Sequence, residues 1–379
     1  MKQLWKHLLS AALLPCLLAG CGAPETPAES GSSADHLLGL TQEQRLEDYD
    51  YLVRTLADSY LCMGVRDRDN TGDLSADIFQ EYRELIQESD SDEMFYSAVY
   101  SALFRLGTYG HLQIVEPDAY RSYRQAYEDD SPADRAHWRE VLTDPGTVQG
   151  YEKLQALLDT MGATDSSAAP DDSGEPAANL HTLILPGGDV GYVKIDRFPA
   201  EHEDAYEADR AALWAFYQQA ADCTDLIIDL TDNSGGSEVY WQQLLAAPLT
   251  DRPLSCTHYA LLADSANNHP YIEDAFSPEE LHPIAQLPDL PELERDGIQA
   301  ATHFVESTLS VEPAAERAPF HGRIWVLVGP AVYSASESFA VFCQETGFAT
   351  LVGSPTGGDG IGALDPVFLQ LPNSGILVQ

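Results

Sequence analysis

Apolar residues recur every three or four positions in the first part of the chain, a spacing that predicts amphipathic helices. The residues Thr41 and Gln44 have the spacing of a capping box, which marks the start of a helix. Three helices are predicted, over residues 41–60, Ser75–Glu88 and Asp92–Leu106, the last ended by Gly107. Residues 39–115 are therefore expected to form a small N-terminal helical domain.

The pattern changes to short apolar runs alternating with helical segments in the second half of the chain. Strands are predicted over Gly191–Asp196, Asp225–Leu230, Arg323–Val328 and Thr350–Val352. Helices are predicted over Asp204–Ala221, Val239–Ala247 and Ala335–Thr346. This alternation favours an α/β core over residues 181–379 with much parallel strand pairing. Residues 116–180 between the two parts are expected to be a polar insert, helical in pieces, followed by a disordered linker over Ala163–Asn179.

The N-terminus has the pattern of an export signal. Residues 1–20 combine two lysines, a short apolar run and small residues, and the run is too short to span a bilayer. The sequence Leu18-Ala19-Gly20-Cys21 resembles the bacterial lipobox, which implies lipidation of Cys21 and an anchor on the extracytoplasmic face of the cell membrane. An ordinary cleavable signal with an incidental cysteine is the alternative. Residues 21–38 are expected to be a flexible tether.

The charge of the chain narrows the possible partners. There are 61 acidic and 20 basic residues in 379, a formal net charge of −41. This argues against nucleic-acid binding and against docking on anionic lipid by charge. The cysteines show no metal-ligand spacing, which argues against a structural zinc site, and their disulfide pairing stays open. The sequence implies neither a metal nor an organic cofactor. The oligomeric state is not fixed by the sequence.

Paired glycines follow one of the predicted buried strands. The segment Asp229-Leu-Thr-Asp-Asn-Ser-Gly-Gly236 places Gly235 and Gly236 in a turn where backbone N–H groups can face a ligand. Such donors can stabilise a developing oxyanion. A plain tight turn is the alternative interpretation.

A serine begins a helix directly after another predicted strand. Ser334 lies in Val328-Gly-Pro-Ala-Val-Tyr-Ser334-Ala-Ser-Glu337, where the positive field of the helix N-terminus would favour an anionic transition state. Ser334 and Glu337 also have the spacing of a capping box, so a purely structural role for this serine is the alternative.

One histidine has an unusual sequence context. His111 lies in Leu106-Gly-Thr-Tyr-Gly-His111, between glycines and a short apolar segment, from which it can reach a cleft. A lone histidine is more often structural or solvated, and that reading stays open here.

These segments together resemble the carboxyl-terminal processing, or tail-specific, serine protease family. Asp229–Gly236 is similar to its D-L-R-D-N-x-G-G segment, Tyr333–Glu337 to its S-A-S-x-E turn, and Val352–Gly358 to its V-G-x-x-T-x-G segment. The resemblance covers roughly residues 190–379. It implies a crotonase-like α/β core of strand-strand-helix units, with Ser334 as nucleophile. It also implies an oxyanion hole from the N–H groups of Ala335 and of Gly235 or Gly236.

The chain departs from the family pattern in ways that favour its histidine-dependent, tricorn-core branch. Asp359 stands where the Ser–Lys branch has its lysine. The segment Leu106-Gly-Thr-Tyr-Gly-His111 resembles the L-G-T-S-H segment of the histidine-dependent branch, which implies that His111 is the general base. Gly110 replaces the serine that precedes the histidine in the tricorn-core type. We expect the sequence to be truncated at Gln379 and therefore to lack the acidic helper of the family, for which Asp359 and Asp365 are weak substitutes. No typical peptide-binding PDZ module is expected before the core.

The sequence therefore predicts a lipid-anchored extracytoplasmic serine peptidase that acts on a peptide or protein. A catalytically inactive protease-like protein that binds peptides or lipids is the alternative, favoured by the absent lysine.

Overall fold

The computed structural model describes residues 36–69, 74–107, 109–129, 135–162, 178–290, 298–358 and 365–379. The predicted signal, Cys21, the linker over 163–177 and Asp359 lie outside these residues. Within them, the fold is mixed α/β with a helical N-terminal region, as the sequence predicts.

The described residues of the N-terminal region form seven α-helices. They are α1 Gln42–Ser59, α2 Cys62–Asp69, α3 Ser75–Glu88, α4 Asp92–Leu106, α5 Pro117–Asp129, α6 Ala136–Thr143 and α7 Pro145–Met161. The predicted bounds of α3 and α4 are confirmed, and Thr41 and Gln44 cap α1 with both hydrogen bonds of a capping box. The ion pair between Arg45 and Asp92, 2.9 Å long and fully buried, joins α1 to α4.

The helical region extends beyond the boundary at residue 115 that the sequence suggested. Side chains of α5, α6 and α7, among them Trp138 and Leu154, pack in the same hydrophobic cluster as α1, α3 and α4. The C-terminal strands β9 (Leu369–Gln370) and β10 (Leu377–Val378) also pack into this cluster rather than into the α/β core. Apolar faces decide this arrangement, because the helices of the supposed polar insert each bury one apolar side.

The α/β part is built on a five-stranded sheet in the order β1-β2-β3-β7-β8. Its strands are β1 Leu180–Ile184, β2 Val190–Ile195, β3 Asp225–Asp229, β7 Arg323–Val328 and β8 Thr350–Gly353. β1 pairs with β2 in antiparallel fashion, whereas β2, β3, β7 and β8 are parallel. The carboxyl ends of the parallel strands therefore share one edge, where active sites gather in such folds.

Helices cover this sheet and contribute to its core. They are α8 Asp204–Gln219, α9 Glu238–Tyr240 with a π-helical continuation Trp241–Ala246, α10 Ala247–Leu249 and α12 Ala335–Thr346. Buried aromatic side chains on them, such as Trp241 and Phe339, pack against the apolar strands β3 and β7. Cys223 and Cys343 are buried in this core, and neither forms a disulfide with a described residue.

A second, antiparallel sheet lies between β3 and β7 in the chain. It contains β4 Leu254–Leu262, β5 His282–Pro283 and β6 His303–Val311, with α11 His269–Ala275 inserted after β4. The apolar pattern of the sequence predicted no element in this segment. No helix in the described residues is both long enough and apolar enough to cross a membrane.

Candidate active site

Ser334 lies in a strained turn between β7 and α12. Its backbone has φ 55° and ψ −127°, a conformation that costs a residue with a Cβ about 1–3 kcal/mol. Among the described residues other than glycine, Ser334 and His111 alone have positive φ. Strain of this kind persists only where surrounding contacts enforce it, and it clusters at functional sites.

The structure rejects the capping interpretation of Ser334. The residue occupies the N-cap position of α12, yet its side chain makes no capping hydrogen bond. Glu337 does not complete a capping box either, and one of its carboxylate oxygens is buried without a hydrogen-bond partner in the described part of the chain. The Ser334 hydroxyl is therefore not committed to closing the helix.

The glycine turn after β3 packs directly against the serine turn. A Cβ placed on Gly235 would lie 3.0 Å from the Ser334 Cβ and 2.8 Å from the Tyr333 carbonyl oxygen. A Cβ on Gly236 would lie 2.1 Å from the carbonyl oxygen of Phe198. Both glycines also have positive φ, 109° and 128°. Only glycine, which has no side chain, fits at positions 235 and 236, and this explains why the turn contains paired glycines.

The two glycine amides are not equivalent. The Gly235 N–H donates to Asn233 Oδ1 at 2.8 Å, so this amide already has an acceptor inside the protein. Gly236 is exposed and its N–H has no acceptor within the residues that the structure covers. Of the two candidates from sequence, Gly236 is thus the amide that can face a substrate, together with that of Ala335.

Ser336 fixes the serine turn to the glycine turn. Its fully buried hydroxyl lies 2.6 Å from the Asn233 carbonyl oxygen and 2.9 Å from the Tyr333 carbonyl oxygen. It also accepts from the Tyr333 N–H at 3.2 Å. One hydroxyl thereby sets the distance between the two loops that supply the candidate oxyanion donors.

The third glycine-bearing segment also meets the serine turn. The Gly357 N–H donates to the Val332 carbonyl oxygen at 2.8 Å, and Gly358 forms a parallel bridge with Tyr333. A Cβ on Gly357 would lie 2.6 Å from the Pro330 carbonyl oxygen. The three segments picked out in the sequence thus converge on one turn.

His111 reaches this turn from the helical region. Its ring centroid lies 5.0 Å from that of Tyr333, at an interplanar angle of 56°. Its backbone N–H donates to the Tyr333 hydroxyl oxygen at 3.4 Å. His111 therefore contacts the residue directly before Ser334.

The loop that carries His111 is held on both sides. Tyr60 donates to the Tyr109 carbonyl oxygen at 2.6 Å. Gln113 pairs with Gln379 through two backbone hydrogen bonds, of 3.1 and 2.9 Å, and the Gln379 side chain donates to the His111 carbonyl oxygen at 3.4 Å. These contacts enforce the positive φ of 58° at His111.

The lysines of the described residues are engaged elsewhere. Lys194 forms ion pairs with Asp232 at 2.6 Å and Asp196 at 3.5 Å, and the hydrogen bond to Asp232 raises its pKa. Lys153 donates to the Leu38 carbonyl oxygen at 2.9 Å. Both amines are thus bound to groups outside the serine turn.

The two acids suggested as helpers do not gain support. Asp365 accepts hydrogen bonds from Tyr127 at 2.9 Å and from Arg135 at 2.7 Å, inside the helical region. Its carboxylate is thus committed to that ion pair. Asp359 lies outside the described residues.

Asp229, the first residue of the glycine-turn motif, has a structural role. Its carboxylate accepts from Tyr192 at 2.6 Å and from the Thr231 N–H at 2.9 Å. Burial alone would raise its pKa, but these hydrogen bonds hold it below the ordinary value. Burial and the same hydrogen bond raise the pKa of Tyr192 to about 12. The pair anchors the end of β3 so that the following turn has a fixed position.

Comparison with protein-family models identifies the α/β part. The model of peptidase family S41 matches residues 189–377. The chain contains a peptidase family S41 domain. This membership supports a serine-type peptidase and does not favour the inactive binding protein considered from sequence. The matched region includes Ser334 and the segments Asp229–Gly236 and Val352–Gly358, whereas His111 precedes it.

Comparison with solved structures gave several similar chains. A putative peptidase from Parabacteroides merdae is 17% identical, with 89% of this chain and 82% of that chain covered and a TM-score of 0.47. Mature CPAF is 14% identical over 89% and 88% of the two chains, with a TM-score of 0.48. The photosystem II D1 C-terminal processing protease is 14% identical over 92% and 87%, with a TM-score of 0.38. A comparison with curated proteins gave no match.

Three residues around the S41 domain's serine turn were not given roles from the sequence. Tyr333 contacts His111, and Ser336 joins the serine turn to the glycine turn. Asn233 accepts the hydrogen bond of the Gly235 N–H. The role of Asn233 could have been predicted from the sequence, since an asparagine side chain often accepts a hydrogen bond from the backbone N–H two residues further on. Across the described ranges, no group of three or more His, Cys, Asp or Glu side chains is arranged to hold a metal ion.

Proposed function

We propose that this protein is a lipid-anchored, extracytoplasmic serine peptidase with Ser334 as nucleophile and His111 as general base. The contact between His111 and Tyr333, beside the strained and uncapped Ser334, carries the proposal. A base must come within hydrogen-bond reach of the proton that it takes, and a contact with the adjacent residue supports such reach.

The proposed reaction is acyl transfer through the serine oxygen. Ser334 Oγ attacks the carbonyl carbon of the peptide as His111 accepts the hydroxyl proton, and the carbonyl oxygen becomes an oxyanion. His111 then donates that proton to the leaving amine as the C–N bond breaks. Water attacks the resulting ester in the same manner and releases the acid and the free serine.

Backbone donors stabilise the oxyanion in this proposal. The N–H groups of Ala335 and Gly236 are the two donors, one at the N-terminus of α12 and the other in the exposed glycine turn. The loss of one such donor typically costs about 3–4 kcal/mol of transition-state stabilisation. The positive end of the α12 dipole favours the same charge.

A hydrolysis assay tests the enzymatic part of the proposal. A library of fluorogenic peptides is incubated with the wild-type protein, with Ser334→Ala and with Ser338→Ala. Ser338 is buried one turn further along α12 and hydrogen-bonds to Glu238, so its variant controls for serine removal in the same helix. We expect cleavage by wild type and Ser338→Ala and a loss of at least about 10³-fold in Ser334→Ala. Equal cleavage by wild type and Ser334→Ala would refute the assignment.

The anchor is a separate part of the proposal and rests on the sequence around Cys21. Cells that express the full chain are fed an alkyne fatty acid, and the protein is probed for label. The wild type and Cys16→Ser are expected to carry label and to sediment with membranes, whereas Cys21→Ser should do neither. Unlabelled wild-type protein in the culture medium would contradict the anchor without bearing on the catalytic assignment.

A further inference from the structure

A cavity of about 430 Å³ lies at the amino end of β7, away from the serine turn. Its walls come from the loop after α10, from the residues that lead into β7 and from the connection between α12 and β8. β7 contains six residues, and Ser334 follows its carboxyl end. At a rise of about 3.3 Å per residue, the cavity and Ser334 are roughly 20 Å apart. The cavity is therefore distinct from the candidate active site.

The basic residues that follow Arg210 in the chain concentrate at this cavity. Residues 211–379 contain 22 acidic side chains but only four lysines and arginines, namely Arg252, Arg295, Arg317 and Arg323. Three of the four, Arg252, Arg317 and Arg323, line the cavity, and Arg295 lies outside the described residues. Such a concentration of scarce cations in an acidic protein points to a ligand of opposite charge.

Arg323 forms a fixed part of the wall. Its guanidinium binds Asp225 through two hydrogen bonds, of 2.9 and 3.0 Å, and stands 5.7 Å from the Trp325 ring centroid. Trp325 donates to the same carboxylate at 2.8 Å, and these hydrogen bonds lower the pKa of Asp225 to about 2. The charges of Arg323 and Asp225 therefore offset each other.

Arg252 and Arg317 supply the uncompensated charge. Neither guanidinium makes an ion pair or a side-chain hydrogen bond with any residue that the structure describes. Asp251 also lines the cavity, so two guanidinium groups stand against one carboxylate, with His321 beside them. The carboxyl end of α12 adds about half a negative charge, which is less than the second guanidinium supplies.

We propose that this cavity binds a small organic anion through a phosphoryl or carboxylate group held by Arg252 and Arg317. Guanidinium groups bind both kinds of oxyanion in bidentate geometry. Phe320, Trp325 and Phe348 give the cavity an apolar wall for the remainder of the ligand. The volume lies within the range of small-molecule sites.

Titration calorimetry at low ionic strength tests the site with two probes, inorganic phosphate and citrate. The proteins are the wild type, the double variant Arg252→Gln/Arg317→Gln, and the control Arg121→Gln/Arg210→Gln. The control removes two exposed arginines that pair with Asp118 and Glu207 on helices elsewhere, and so makes the same change in net charge.

We expect at least one probe to bind wild type with a Kd below about 1 mM. The cavity variant should bind at least tenfold more weakly, and the control within twofold of wild type. Tighter binding of phosphate identifies a phosphoryl ligand, and tighter binding of citrate a carboxylate ligand. The proposal is overturned if neither probe binds the wild type, or if the control loses as much affinity as the cavity variant.

Discussion

His111 and Tyr333 are 222 positions apart in the chain, yet their rings lie 5.0 Å from each other. The helical region thus contributes a histidine to a turn that the S41 domain builds. Because Ser334 follows Tyr333 directly, the relative position of these two parts determines whether the serine has a base.

Replacement of His111 by asparagine should remove the base and preserve the loop. Asparagine tolerates the positive φ of 58° at this position better than most residues. We expect kcat/KM for peptide cleavage to fall by about 10²–10⁴-fold with little change in Tm. His181→Asn, at an exposed position on β1, is the matched control and should keep wild-type activity. Equal activity of the two variants would exclude His111 as the base.

Replacement of Ser334 by glycine should stabilise the protein while abolishing cleavage. Glycine adopts φ 55° and ψ −127° without the steric cost that Ser334 bears, so the free energy of unfolding should rise by about 1 kcal/mol. This corresponds to an increase in Tm of about 2 °C, measurable by calorimetry. Ser334→Ala keeps the Cβ and should leave Tm unchanged. If Ser334→Gly melts below Ser334→Ala, the backbone at this position is not strained.

Replacement of Gly235 by alanine tests the contact between the two turns. The new Cβ would lie 2.8 Å from the Tyr333 carbonyl oxygen and 3.0 Å from the Ser334 Cβ, so we expect destabilisation by about 2–4 kcal/mol and loss of cleavage. Gly188→Ala is the control, since Gly188 has φ 83° and open space around its Cα. It should cost about 1–2 kcal/mol for the backbone alone. Denaturant unfolding that shows equal losses for both variants would contradict the close packing.

Replacement of Glu238 by glutamine should raise stability at neutral pH. Burial raises the pKa of Glu238, despite hydrogen bonds from Trp241 and Ser338. A carboxyl whose pKa is higher in the folded state weakens the fold as the pH rises from the unfolded pKa through the folded one. The Tm of Glu238→Gln relative to wild type should therefore increase between about pH 4 and pH 8. A difference in Tm that is constant over this range would show that the pKa is not raised.

Local patterns predicted many of the elements, because apolar periodicity and end signals are properties of short segments. Ser75–Glu88, Asp92–Leu106 and Arg323–Val328 have the bounds that the sequence predicted. The strands β4 and β6 were not predicted. Ser, Thr and His interrupt their apolar residues, and their pairing joins positions far apart in the chain.

The sequence did not predict which elements pack against each other in the tertiary structure. It did not reveal that the C-terminal strands pack into the helical core, since apolar segments do not encode their partner. It named Ser334, His111 and both glycines, but not which glycine amide is available. That choice depends on the rotamer of Asn233, which a linear pattern does not contain.

Covalent labelling with a biotinylated fluorophosphonate, read out by peptide mass spectrometry, tests the central claim most directly, because it reports a serine that a neighbouring base activates. We predict one adduct, on Ser334, in the wild-type protein and in His181→Asn, with labelling at least about 100-fold slower in His111→Asn. Wild-type protein that stays unlabelled at Ser334, or His111→Asn that is labelled as fast as wild type, would contradict the pairing of this serine with this histidine.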